Sequence, residues 1–325
     1  MIRFDLSVQL QYEILVPTDF LLKIQPSDTR HQQVRWEQLV VTPSMPYTED
    51  RDETFGNRCL RLRTEPGNLI VSYDAIVDVE HHIDVPDDIP EHPVQELPAA
   101  VLHYVLPSRY CPSDRLTNIA MQEFGHMEPG YARIEAVRSW VTQRTAFRPG
   151  SSHSGTCALD TYKSQVGVCR DFAHLMIALC RALNVPARFV TSVDYGADPA
   201  MGPTDFHSYV EVYLGHRWYM FDPSGISPRM GLLRIATGRD ASDVAFATIF
   251  GTVRSQAPRI SIDVEGDSLQ GLTAPFRHDY ALSTDPGFAE DIDESLIDRD
   301  RHPTSLDVPP NVTATQVHTA AGAAD

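Results

Sequence analysis

From Ile2 to Ile14 every even position is apolar and every odd position between them is polar, the period of a strand buried on one face. Leu69, Val71, Tyr73, Ala75, Val77 and Val79 repeat the pattern, and Cys59 to Arg63 reads as a further strand. Residues 1–83 therefore predict an antiparallel β-domain. Next comes HIDVPDDIPEHPVQELP, with prolines at 86, 90, 93 and 98 among acidic residues. Proline removes a backbone donor and disfavours helix in the residue before it, so 84–106 reads as a linker.

Beyond it the period changes to that of a helix. Ser113 is placed to cap a helix running to Phe124, and Arg133 to Arg144 carries Ile134, Val137 and Val141 at helical spacing. In GVCRDFAHLMIALCRAL, residues 167–183, Phe172, Met176, Leu179 and Leu183 form one stripe, while Leu175, Ile177, Ala178 and Ala182 cover most of the remainder. A helix apolar nearly all round belongs in the middle of a fold. Asn184 suits a left-handed C-terminal cap, Pro186 stops the helix, and ARFVTSV is β-branched and strand-like.

A Gly/Pro/Asp loop at 194–205 leads to two strands, FHSYVEVYL (206–214) and RWYMFDPSG (217–225). Gly215 and His216 between them suit a two-residue type II′ turn. Weaker strands follow in ATIFGTV and RISIDVEG, which completes a core spanning 107–266. From 267 the pattern fades: 284–325 holds nine acids and two arginines with little apolar density, and 267–325 reads as an acidic, disordered tail. The fold class is α+β, a β-domain followed by a core in which a central helix packs on an antiparallel sheet.

Composition narrows the function. Of 325 residues, 44 are acidic and 27 basic, a formal charge of -17, which argues against nucleic acid or an anionic membrane as partner. The N-terminus lacks the apolar run of a secretory signal, so a cytoplasmic location is expected. Five cysteines, at 59, 111, 157, 169 and 180, are odd in number and have no CxxC pairing, a poor basis for a disulfide framework or a structural zinc site. His81, His82 and His92, or His153 with Cys157, make at best a weak metal set, so no cofactor is expected.

Chemistry concentrates at Cys169, in the first turn of the apolar helix, where free N–H groups and the helix dipole favour a thiolate. The bland alternative is a small core residue. A nucleophilic cysteine needs a base and an orienting acceptor, and the hairpin supplies both. If Gly215 and His216 form the turn, Leu214 lies opposite Arg217 and Tyr209 opposite Asp222. His207 and Asp222 then become diagonal neighbours on one face, about 7 Å apart at the backbone. One extra loop residue would send them to opposite faces.

These blocks, GVCRDFAHLMIALCRALNVPARFV and DFHSYVEVYLGHRWYMFDPSG, resemble the transglutaminase-like superfamily over about residues 155–260. Its papain-like core carries Cys, His and Asp in that order. The preceding β-domain, with PSRYCPSDRL at 107–116, is similar to the N-terminal domain of bacterial members, among them cysteine-protease-like proteins. Nothing resembles the calcium sites or accessory domains of animal transglutaminases.

The resemblance implies that Cys169 attacks an amide or ester carbonyl, His207 moves the proton and Asp222 holds the imidazole. A thiol-dependent amide hydrolase or peptidase is expected, with a peptide or protein amide as substrate. Acyl transfer to an amine, or a non-catalytic peptide-binding module on the same fold, are the alternatives; efficient transfer would need a site that excludes water. The Cys169 N–H is the natural first oxyanion donor. Gln165, Tyr162 and Trp140 stand open as sources of a second, the two aromatics being equally explicable as core. Asp171, His174 and Cys180 read as structural, and oligomeric state leaves no mark.

Overall fold

The computed structural model describes residues 1–198, 204–266 and 268–285. The chain opens with β1 (Ile2–Ile14), β2 (Thr18–Leu22), β3 (Gln32–Thr42), β4 (Tyr47–Arg51), β5 (Arg58–Thr64), β6 (Gly67–Val79) and the short β7 (His82–Asp84). The alternating run of β1 pairs along its whole length with β6, from Ile2 opposite Val79 to Ile14 opposite Gly67. Its even side chains from Ile2 to Leu10 are at most 2% exposed, as one-sided burial requires.

Helices α1 (Thr117–Phe124) and α2 (Tyr131–Arg144) follow, then β8 (Ala146–Phe147), α3 (Ala158–Ser164), β9 (Val166–Gly167) and α4 (Cys169–Ala182). Strands β10 (Ala187–Asp194), β11 (Phe206–Leu214), β12 (Arg217–Phe221) and β13 (Leu232–Gly238) form an antiparallel sheet in the order β12-β11-β10-β13. Every residue of α4 from Asp171 to Ala182 is buried, and the helix packs on β10, β11 and the three other helices. The molecule is α+β, with a central helix on an antiparallel sheet.

Several expectations are revised. Ser113 is not a helix cap: it is buried in a 3-10 turn, Ser113–Arg115, and α1 begins four residues later. Gly215 and His216 both have positive φ, 52° and 64°, so the hairpin turn is type I′ rather than II′, the geometry whose twist matches its strands. The register is the anticipated one, Leu214 opposite Arg217 and Val210 opposite Phe221.

The last strands, β14 (Ala247–Phe250), β15 (Val253–Ser255) and β16 (Arg259–Glu265), leave the core and return to the N-terminal sheets. β15 and β16 pair with β1, Leu6 lying opposite Ile262, and β14 pairs with β2. They satisfy the row of N–H and C=O groups that β1 would otherwise present unpaired along that edge.

The proline-rich stretch 84–106 is a packed strap. Its prolines limit it to short 3-10 turns, yet it buries Ile89, Leu97, Val101 and Tyr104, the last three against Tyr213 and Trp218 of the hairpin. Part of the anticipated tail carries structure. Residues 268–285 are ordered, and β17 (Ala281–Ser283) pairs with β7. Asp285 then bridges the buried guanidinium groups of Arg188 and Arg234. Residues 286–325 lie outside the described residues.

His174, in the middle of α4, is fully buried, stacked at 5.0 Å on Tyr110, and its Nε2 accepts the Ala241 N–H at 3.1 Å. Burial lowers its pKa to about 3. The unfolded chain therefore binds a proton that the native state refuses between about pH 6.5 and 3, and stability must fall as pH drops through that window. His174→Gln, which retains an acceptor, should take up about one proton fewer on unfolding there. Urea midpoints of both proteins from pH 7 to 4 check this, and parallel pH dependences would contradict it.

Candidate active site

The first turn of α4 is held from its own side. Asp171 Oδ2 accepts the Val168 N–H at 2.9 Å, and Oδ1 accepts the Ser152 hydroxyl at 2.8 Å. Val168 has no capping group, so Asp171 reaches back to satisfy this donor from inside the helix. Gly167 makes that possible, because a Cβ there would sit 2.7 Å from the Asp171 Cβ. Just upstream, β9 pairs in parallel with β8, Ala146 and Arg148 donating to the carbonyls of Gln165 and Gly167. Cys169 thus enters the helix from a fixed direction as its first residue. Asp171 and Phe172 donate to the Val168 carbonyl, while the Cys169 N–H precedes the helical ladder and is free to face a ligand.

His207, second residue of β11, and Asp222, the first after β12, meet across the hairpin with Nε2 and Oδ2 3.3 Å apart. Their side chains are only 4% and 2% exposed. The Cys169 thiol lies close enough to His207 to favour its charged form. With Nε2 turned to Asp222, the nitrogen left for sulfur is Nδ1. The other carboxylate oxygen of Asp222 accepts the Ser224 N–H at 2.9 Å and the Ser224 hydroxyl at 2.6 Å.

Burial opposes an imidazolium at His207, but the Asp222 carboxylate and the nearby Cys169 thiol outweigh it and hold the group well above its usual 6.5. Burial likewise opposes a charged Asp222, yet His207 and Ser224 keep it below 3.8. The two shifts belong to one coupled pair. Such a unit can hold a proton next to a sulfur atom and hand it to a departing group.

The proposed second oxyanion donors separate. Trp140 stacks on Tyr162, with ring centroids 6.2 Å apart and planes at 5°, and lies under the Arg144 guanidinium. Its one indole N–H donates to Glu123 at 3.1 Å. That commitment removes Trp140 as a donor here. Gln165 is the left-handed residue ending α3, with φ 56°, and its side chain is exposed near the approach to Cys169.

Cys180 and His174 lie in the core. His153 Nδ1 accepts the Gly155 N–H, and the Cys157 thiol donates to Asp160. Residues 199–203 of the loop before His207 lie outside the described residues.

Sequence reading missed the support around Asp222. The Thr142 hydroxyl donates to the Pro223 carbonyl at 2.6 Å, and Ser227 donates to Asp194. Arg229 reaches Met220, His278 and Tyr280 carbonyls. No periodicity marks these contacts, because all but the Arg229–Met220 one join segments far apart in the chain.

Two family profiles match: Transglutaminase-like superfamily over residues 119–223, and Bacterial transglutaminase, N-terminal domain, over residues 2–100. A crystal structure of a candidate cysteine protease from Cytophaga hutchinsonii superposes with a TM-score of 0.80 at 35% identity, covering 87% of this chain and 97% of that one. An uncharacterised protein of Mycobacterium leprae is 28% identical over 145 residues, 43% of this chain and 51% of its own. One from Mycobacterium tuberculosis is 26% identical over 173 residues, 48% and 55% respectively. The chain spans about half the length of these curated relatives.

The paired shifts set a pH signature. The raised pKa of His207 contributes stability that is complete below about 6.5 and lost as pH rises through the folded value. The lowered pKa of Asp222 contributes stability that is complete above about 4 and lost as pH falls. The stability advantage of the wild type over His207→Asn should therefore be greatest between about pH 4 and 6.5 and narrow towards pH 9. Urea unfolding across that range measures it, and a constant difference from pH 5 to 9 would refute the charged pair.

Proposed function

The chain belongs to the transglutaminase-like superfamily, and from that premise we propose that it is a thiol-dependent amide hydrolase or peptidase using Cys169, His207 and Asp222. The observation that carries this reading is a buried imidazole bonded to a carboxylate and close enough to a thiol at a helix N-terminus for that thiol to favour its charged form. A scaffold has no physical need for that combination, since burying a charged pair costs several kcal/mol per ion before the pair recovers it.

With the thiol proton already held by His207, Cys169 Sγ adds to the amide carbonyl carbon and the carbonyl π electrons move to oxygen. The Cys169 N–H faces the resulting oxyanion. Collapse expels the amine, protonated by His207, and leaves an acyl thioester on sulfur. Water, deprotonated by His207, attacks the thioester; the acid departs and the thiol is restored. Asp222 keeps the ring oriented throughout and stabilises its charged form. The description of the Cytophaga hutchinsonii relative supports water as acceptor. No membrane-length apolar helix occurs among the described residues, and the substrate proposed is a peptide or protein amide.

Cys169→Ala should abolish labelling of the protein by a peptide-like electrophile at neutral pH and stop turnover of amide and ester substrates. Labelling that persists at the wild-type rate would remove Cys169 from the chemistry. Turnover of a glutamine-containing peptide with and without a primary amine separates the two acceptors. Free acid as the product in both cases is expected, and an amine adduct as the main product would reassign the reaction to acyl transfer.

A further inference from the structure

We propose that Thr142 on α2 is a positioning residue for Asp222, acting through the Pro223 carbonyl; the proposal rests on Asp222 serving the chemistry described above. β12 ends at Phe221, so Asp222 has already left the sheet and its ladder of hydrogen bonds. The residue after it is proline, which has no N–H, and the backbone beside Asp222 can be gripped only by its carbonyl oxygen. Thr142 Oγ1 grips it at 2.6 Å. The same hydroxyl lies 3.0 Å from the Arg138 carbonyl one helical turn back. A hydroxyl has one hydrogen to give, and the shorter contact across to the turn takes it.

Arg138 strengthens the grip. Its Nη1 donates towards Thr142 Oγ1 at 3.4 Å, while its Nε donates to Glu135 at 2.7 Å. Glu135, Arg138 and Thr142 recur at helical spacing on one side of α2, a polar file that ends on the turn. Glu135, Arg138 and Asp222 all border one cavity of about 630 Å3. On the carboxylate side, Ser224 fixes Oδ1. Thr142 fixes the chain between those two residues and so sets the angle at which Oδ2 meets His207.

Thr142→Val retains the branched shape and loses only the hydroxyl, whereas Thr142→Ser retains the hydroxyl. An imidazole NMR titration of His207 reads the site without a substrate, and p-nitrophenyl acetate turnover reads the chemistry. In Thr142→Val the His207 midpoint should move down towards 6.5, and kcat should fall roughly tenfold with KM little changed. Thr142→Ser should restore both. Should Thr142→Val not fold, Thr142→Ala removes the same hydroxyl and carries the same readouts.

A wild-type His207 titration with wild-type kcat overturns the proposal, and so does a lowered melting temperature with an unmoved titration, which would make Thr142 merely structural. Cys169→Ala separates this from the parent reading. If it leaves ester turnover unchanged while Thr142→Val still shifts His207, the thiol mechanism falls and the clamp on Asp222 stands.

Discussion

A carboxylate almost wholly removed from water stays ionised only while a cation and hydrogen-bond donors face it, and Asp222 is in that position at 3% exposure. His207 supplies the charge, and Ser224 supplies two donors to the opposite oxygen. Removing His207 would turn a paired charge into an unpaired one, at a cost of about 3–5 kcal/mol. The surrounding architecture can be understood as what keeps the pair together. The register of β11 and β12 sets the diagonal, α2 holds the turn after it, and Asp194 ties the same turn to β10 through Ser227.

The N-terminal sheets and the C-terminal segment extend the same constraint outward. β15 and β16 come back to β1 after the core is complete, so the two parts of the chain share strands as well as a surface. Arg229, just beyond the Asp222 turn, bonds the Tyr131 hydroxyl of α2 and the His278 and Tyr280 carbonyls. The segment then closes on the buried cluster of Arg188, Glu211, Arg234 and Asp285 under the hairpin. The backbone that carries Asp222 is thereby held by residues of α2 and of the segment 278–285.

Where a feature depended on local periodicity or on residues close in the chain, it was legible beforehand. The alternation of Ile2 to Ile14 predicted a half-buried strand, the apolar girth of residues 172–183 predicted a central helix, and a two-residue turn at Gly215 and His216 aligned His207 with Asp222. Each follows from the fixed geometry of a strand, a helix or a hairpin, so composition and spacing suffice. The strap at 84–106 shows the limit. Its prolines correctly excluded a helix, but nothing in them told that Leu97, Val101 and Tyr104 would cover Trp218.

By itself, then, the sequence determined the strongly periodic elements, the hairpin register and the residue types that chemistry at Cys169 would require. Tertiary structure alone decided the rest. It sent β14 to β16 back to the N-terminal sheets, spent the indole N–H of Trp140 on Glu123, ordered residues 268–285, and brought Thr142 onto the Pro223 carbonyl 81 residues away. The physical reason is one of range. Periodicity reports which side of an element is buried, whereas the partner of a particular donor or sheet edge is settled only when segments distant in the chain compete for it on packing.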